Sequence, residues 1–168
     1  MNWLEDLSDV LAVPLTRSNF DIFGDVIDDQ CDATREINEA RFDRYDEICE
    51  IDIADHQPLC ISMVCCRAPT QYPICIDVIE RHPLGSQMFV AMSDQPMFVC
   101  VAPADSVFDI SNLMAFVTNG RQAINYRRGV WHMPLIGTVS GQQFLVVERS
   151  GQGNFDVQRL TQEVLLEA

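Results

Sequence analysis

Ile74-Cys75-Ile76-Asp77-Val78-Ile79, Met88-Phe89-Val90-Ala91-Met92 and Met97-Phe98-Val99-Cys100-Val101-Ala102 are three short apolar runs, parted by Pro83-Leu84-Gly85-Ser86 and by Ser93-Asp94-Gln95-Pro96. Runs of this length, rich in Val, Ile, Phe, Met and Cys, suit strands rather than helices, and the Pro, Gly, Ser and Asp between them end one strand and begin the next. The same texture extends outward. On one side lies Leu59 to Cys66, after His56-Gln57-Pro58; on the other lie Ala115 to Thr118, Leu135 to Val139 and Phe144 to Arg149. Seven or more strands with no long helical period between them predict an all-β, mainly antiparallel fold, a barrel or double-sheet jelly roll with a few short helices.

The flanks carry the helical signals. Trp3, Leu4, Leu7, Val10 and Leu11 are spaced as a small amphipathic helix within an acidic leader, residues 1–13 of a single domain spanning 1–168. Thr16 stands at a helix N-cap, Gly24 stands where a glycine would end that helix, and Asp25 to Ile27 leads out as a short strand. Asp28 to Asp55 reads as an acidic loop followed by an edge strand with its charges outward. Asp109 to Leu113 predicts one helical turn, and Thr161 caps an expected last helix through Val164-Leu165-Leu166.

Composition excludes several functions. The net charge is -14, with 25 acids against 11 arginines and no lysine. Such a surface repels nucleic acid and anionic membranes, and without lysine there is no Schiff-base chemistry. Seven cysteines, an odd number with no C-x-x-C spacing, fit neither a disulfide framework nor a zinc knuckle. With no secretory leader and no long apolar span, the expected compartment is the cytoplasm.

The charge is uneven. From Ile110 to Val147 there is no Asp or Glu, and into that window fall Arg121, Arg127, Arg128 and His132, interleaved with Tyr126 and Trp131. That is the pattern of an anion-binding surface. Only three histidines exist: His56 in a polar loop, His82 where a strand ends at Pro83-Leu84-Gly85, and His132 between Trp131 and Met133-Pro134. His82 and His132 are the candidate proton carriers, because imidazole alone has an unperturbed pKa suited to neutral pH. Arg67 or an arginine of the acid-free window, Arg127 among them, offers a carboxylate clamp. Gln87, Asn125 and Tyr126 offer amide-binding groups, with Trp131 beside them. There is no His-x-His; Glu80, His82, Gln87 and His132 form at best a reduced ligand set. A divalent metal is therefore conceivable without being supported by ligand spacing.

Four stretches in order, Glu80-Arg81-His82-Pro83-Leu84-Gly85-Ser86-Gln87, Phe116-Val117-Thr118-Asn119-Gly120, Asn125-Tyr126-Arg127-Arg128-Gly129-Val130-Trp131-His132-Met133-Pro134-Leu135 and Glu148-Arg149-Ser150-Gly151 to Asp156, resemble the successive motifs of the ureidoglycolate lyase family. The resemblance runs from about Pro14 to the C-terminus, more loosely before Arg67-Ala68-Pro69. It implies a cupin-like antiparallel barrel, commonly a homodimer, that converts ureidoglycolate to glyoxylate and urea in purine and allantoin breakdown. The chemistry agrees with the residues at hand. Collapse of a small carboxylate bearing a hydroxyl and a ureido nitrogen on one carbon needs a base, a donor to the departing nitrogen and a carboxylate clamp.

Three positions depart from that pattern. Arg127 and Met133 stand where the family commonly has histidine, and Tyr45-Asp46-Glu47 replaces Tyr-His-Asp. The alternative is a divergent cupin-like module that binds a small carboxylic acid without turning it over, or acts on a related ureido or hydroxy acid.

Overall fold

The structure is a computed structural model that describes residues 8–105 and 107–167. Its strands are β1 (Ser8–Pro14), β2 (Gly24–Ile27), β3 (Arg35–Ile37), β4 (Phe42–Arg44), β5 (Leu59–Cys65), β6 (Ile74–Arg81), β7 (Gln87–Ala91), β8 (Phe98–Ala102), β9 (Met114–Val117), β10 (Ala123–Tyr126), β11 (Trp131–His132), β12 (Gln143–Arg149) and β13 (Asp156–Glu167). One short helix, α1 (Arg17–Phe20), and a 3-10 turn at Ile110–Asn112 complete the described elements. The all-β expectation holds. Six strands close a barrel in the order β1-β13-β6-β11-β8-β9, and five more form a sheet in the order β2-β10-β7-β12-β5. Pairing is antiparallel except that β1 runs parallel to both β13 and β9.

Two apolar cores result. One fills the barrel with Ile74, Ile76, Cys100, Ala115, Val164 and Leu166. The other lies between the outside of the barrel wall and the five-stranded sheet: Val99, Val101 and Phe116 meet Phe89, Ile124, Phe144 and Val146, with Phe20 and Phe23 wedged at one side. The phenylalanines pack edge-on, Phe20 against Phe116 at 5.6 Å and 87°, the geometry their ring quadrupoles favour.

Local readings fare unevenly. Thr16 caps α1 as expected, its hydroxyl accepting the Asn19 N–H at 3.2 Å while Asn19 Oδ1 accepts the Thr16 N–H at 2.9 Å. Gly24 does not end that helix; it opens β2, where an added Cβ would run into the Asn125 carbonyl of β10. Residues 1–7 of the expected leader helix lie outside the described residues, and Val10 and Leu11 belong to β1 instead. Asp28 to Asp55 holds the β3–β4 ribbon rather than an edge strand. Leu135 to Val139 forms no strand. The expected last helix is also absent: Val164-Leu165-Leu166 lies in β13, clasped between β1 and β6. Long-range pairing to two neighbours there overrides a local signal that three apolar residues cannot settle.

Candidate active site

At one end of the inter-sheet core the lining turns polar. Tyr126, Gln87, Glu148 and Cys60 are cross-strand partners on β10, β7, β12 and β5, so they form one row on one face of the sheet. Across from them Val101, His132 and Glu80 form a row on β8, β11 and β6. The Tyr126 and His132 rings stack at 4.3 Å and 17°, which joins the two rows. His82 also stacks with His132, at 5.5 Å and 22°.

A bulge aims the barrel-side residues. Ile74 and Ile76 are buried in the barrel core, but so is Ile79, three residues on, and the pairing of β6 with β13 shifts register between Arg159 and Val164. That change of phase turns Glu80 and His82, two residues apart on an extended chain, toward the sheet. Antiparallel pairing of β6 with β11 then brings His132 beside Glu80.

The hydrogen bonds fix both imidazoles. His82 Nδ1 is 2.8 Å from the Asn154 carbonyl and His132 Nδ1 is 2.9 Å from the Val130 carbonyl. A carbonyl only accepts, so each Nδ1 carries a hydrogen, and in the neutral ring each Nε2 then offers a lone pair. Both Nε2 atoms are buried without a hydrogen-bond partner among the described residues. Glu80 Oε1 is 3.6 Å from His132 Nε2, and ligand atoms of Glu80, His82 and His132 all lie within 4.8 Å of one another. Burial, then repulsion from His132, lowers the His82 pKa below the ordinary imidazole value. Gln87 Nε2 donates to Glu148 Oε2 at 2.8 Å, leaving Gln87 Oε1 buried and unpartnered.

One loop supports this arrangement. Arg149 grips Asp55 through Nε at 2.8 Å and through Nη2, and its Nη1 donates to the carbonyls of Ser150 at 3.0 Å and Gln152 at 3.2 Å. Gly151 and Gly153 supply positive φ values of 88° and 81°, which let the chain coil around the guanidinium. Asn154 follows, its carbonyl on His82 and its Oδ1 accepting the Leu84 N–H at 2.6 Å. A recess of about 320 Å³ runs in from this loop, lined by Cys60, His82, Glu148, Asn154 and Phe155.

Of the residues singled out from sequence, His82, His132, Gln87 and Tyr126 come together. Four others do not. Asn125, one residue from Tyr126, lies on the opposite face of β10, where Nδ2 donates to Asp25 Oδ2 at 3.2 Å and the Glu50 carbonyl at 3.0 Å. Arg127 bonds the Asp21 carbonyl and pairs with the Asp21 carboxylate at 3.5 Å. Trp131 turns into the barrel core, with the Arg81 guanidinium 4.4 Å from its ring centre. Arg67 is exposed beside a separate recess of about 230 Å³ with Cys66, Thr70 and Gly137.

The acid-free window is not acid-free in space. Arg121 lies 3.7 Å from Asp94 and Arg128 lies 3.1 Å from Asp52, so acids from distant segments cancel the cations that looked unopposed in sequence. The reduced ligand set, by contrast, is assembled. Two imidazole nitrogens and a carboxylate are the donors a divalent transition metal takes, and the two Nε2 atoms without hydrogen-bond partners among the described residues fit such an ion. The sequence named these residues, but their spacing lent the set no support because the pairing of β6 with β11 joins His132 to the distant Glu80. Glu148 was missed because one acid at a strand end has no distinguishing spacing.

A family profile described as Ureidoglycolate lyase matches residues 8–167. The chain is 42% identical over 154 residues to a ureidoglycolate lyase of Burkholderia mallei (strain NCTC 10229), covering 91% of this chain and 90% of that protein. It is 38% identical over 149 residues to a ureidoglycolate lyase of Salmonella typhimurium, covering 89% and 92% respectively.

Proposed function

The chain belongs to the ureidoglycolate lyase family, and on that premise we propose that its polar end-row converts ureidoglycolate to glyoxylate and urea. The observation that carries the reading is the convergence of two buried imidazole Nε2 lone pairs, both fixed as acceptors by their Nδ1 bonds, with the Glu80 carboxylate beside them.

The reaction moves one proton and breaks one bond. The substrate hydroxyl gives its proton to an imidazole Nε2, the C–O bond becomes the aldehyde C=O, the C–N bond breaks, and the urea nitrogen takes a proton. His132 is the carrier best placed to do both transfers, because Glu80 stabilises the imidazolium formed between them. His82, held neutral by its burial, offers a second acceptor. Gln87 Oε1 and Glu148 accept from the ureido N–H groups, and the low polarity of the adjoining core strengthens those bonds. A divalent cation held by Glu80, His82 and His132 would act as a Lewis acid toward the substrate oxygens. In the same reading the chain is one catalytic domain, cytoplasmic, cupin-like and homodimeric.

Incubation of the purified protein with ureidoglycolate, with and without added divalent metal, should release urea and glyoxylate in equal amounts. No turnover under either condition, with glyoxylate or oxalate still raising the thermal midpoint, would instead leave a binding module.

A further inference from the structure

Among the described residues the end-row offers no free cationic side chain for the carboxylate of its proposed substrate. Among the described residues the guanidinium lining the recess belongs to Arg149, and it is consumed by Asp55 and by loop carbonyls. Ten of the eleven arginines have a carboxylate within ion-pair distance. The exception among the described residues is Arg67. A guanidinium left unpaired in a chain of net charge -14 is available to an anion from outside.

Arg67 follows β5, which among the described residues is a free sheet edge: it pairs with β12 on one side only and contains neither charge nor proline. Leu59, Ile61 and Met63, alternating along it, are 49, 69 and 61% exposed. An uncharged strand with an open hydrogen-bonding edge invites another strand. In so acidic a molecule it is also a place where two copies approach without opposing like charges. Antiparallel pairing of β5 with itself, centred on Ser62 at the middle of Leu59–Cys65, carries Arg67 of the partner subunit, two residues beyond the strand end, toward Gln57. Gln57 lies beside Gly151, at the lip of the recess that leads to His82 and Glu148.

We infer that each active site is completed across a β5–β5 dimer, with the partner subunit's Arg67 as the clamp for the substrate carboxylate. This rests on the lyase reading above and adds to it a residue that one chain cannot supply to its own recess.

Complementation decides it. Arg67→Ala and His132→Ala chains, co-expressed with different tags and purified as mixed dimers, place both lesions in one site and leave the other intact. The mixed dimer should show about half the wild-type turnover while each homodimeric variant is nearly inactive. Arg67→Ala alone should raise KM more than it lowers kcat, and Arg67→Lys should recover part of that loss. No recovery in the mixed dimer, or full activity of Arg67→Ala, overturns the inference. Ile61→Asp, which sets like charges across the two-fold axis, should sediment as a monomer with the Arg67→Ala defect; a fully active monomer also overturns it. If the wild-type protein does not turn over ureidoglycolate, the lyase reading fails separately. The Ile61→Asp monomer is then titrated with oxalate by calorimetry, where binding as weak as that of Arg67→Ala supports the cross-subunit clamp and wild-type binding removes it.

Discussion

Strand β10 carries two polar clusters on opposite faces, and they differ in kind. On the outer face Asn125, Arg127 and Arg128 meet Asp25, Glu50 and Asp52 around an open cleft of about 600 Å³. Arg128 is paired there with Asp52 in solvent. On the inner face Tyr126 meets His132, Gln87 and Glu148, where lone pairs are buried and unmatched. The outer cluster is richer in charge, but its charges satisfy one another, and exposed pairs of this kind are worth roughly 0–1 kcal/mol. The inner cluster is poorer in charge and keeps unspent hydrogen-bonding capacity where desolvation makes it costly, about 1–3 kcal/mol per unpaired group. Capacity left unspent at such cost is the better mark of a reacting site.

The widest gap between the two faces should appear on removal of His132. His132→Ala should lower kcat/KM for ureidoglycolate by roughly 10²–10⁴, the range for loss of a general acid–base group, measured as urea release by folded protein. A drop under tenfold would move the chemistry away from the inner face. Next comes Glu148→Gln, which weakens a charged acceptor for the ureido N–H groups. A loss of about 1.5–3 kcal/mol, or about ten- to a hundredfold, should fall mainly on KM; an unchanged KM would remove Glu148 from the binding row.

The ion pairs away from the inner face of β10 separate by burial. Asp28, buried against Arg17, would be raised by its desolvation, but hydrogen bonds from Gln122, the Gln30 N–H and Arg17 hold its pKa below the ordinary carboxylate value. Its stabilisation is therefore complete above the unfolded carboxyl pKa of about 3.9 and lost as pH falls through the lower folded value. The thermal midpoint should fall as acid is added through that window, and less steeply in Asp28→Asn. Identical profiles would show that the pair contributes nothing. The smallest effect is expected from Arg128→Ala, which removes an exposed ion pair: kcat/KM should stay within about twofold and stability within about 1 kcal/mol. A tenfold loss of activity would bring the outer cleft back into the chemistry.

Much of this is legible in the chain. The runs at 59–66, 74–79, 88–92, 97–102 and 144–149 read as strands because each is short, apolar and bounded by turn residues, and each is a strand in the structure. His82 and His132 stood out by residue type alone. What the sequence concealed is which face each residue takes. Asn125 and Tyr126, or Trp131 and His132, are adjacent in sequence and opposite in space, because side chains on a strand alternate. The arginine window misled for a related reason. Its cations were counted without the acids that other loops deliver to them, and those partners are set by topology rather than by spacing. Glu80 and His82 were nearer to being read, since an i, i+2 pair on a strand shares a face. Only the bulge in the β6–β13 pairing decides which face that is.

The parallel placement of β1 between β13 and β9 bears on the order in which the molecule can assemble. Ser8 pairs with Val164, so the barrel wall joins segments made at opposite ends of the described chain, and a ribosome finishes β1 long before its partner exists. Until Asp156–Glu167 emerges, β1 and β6 both present open edges, and the strand that seals them also carries the bulge opposite Ile76 and Val78, which sets the phase of Glu80 and His82. Closure of the wall and final aiming of Glu80 and His82 are thus coupled to a single late step, with the slow, long-range character that distant strand pairing imposes.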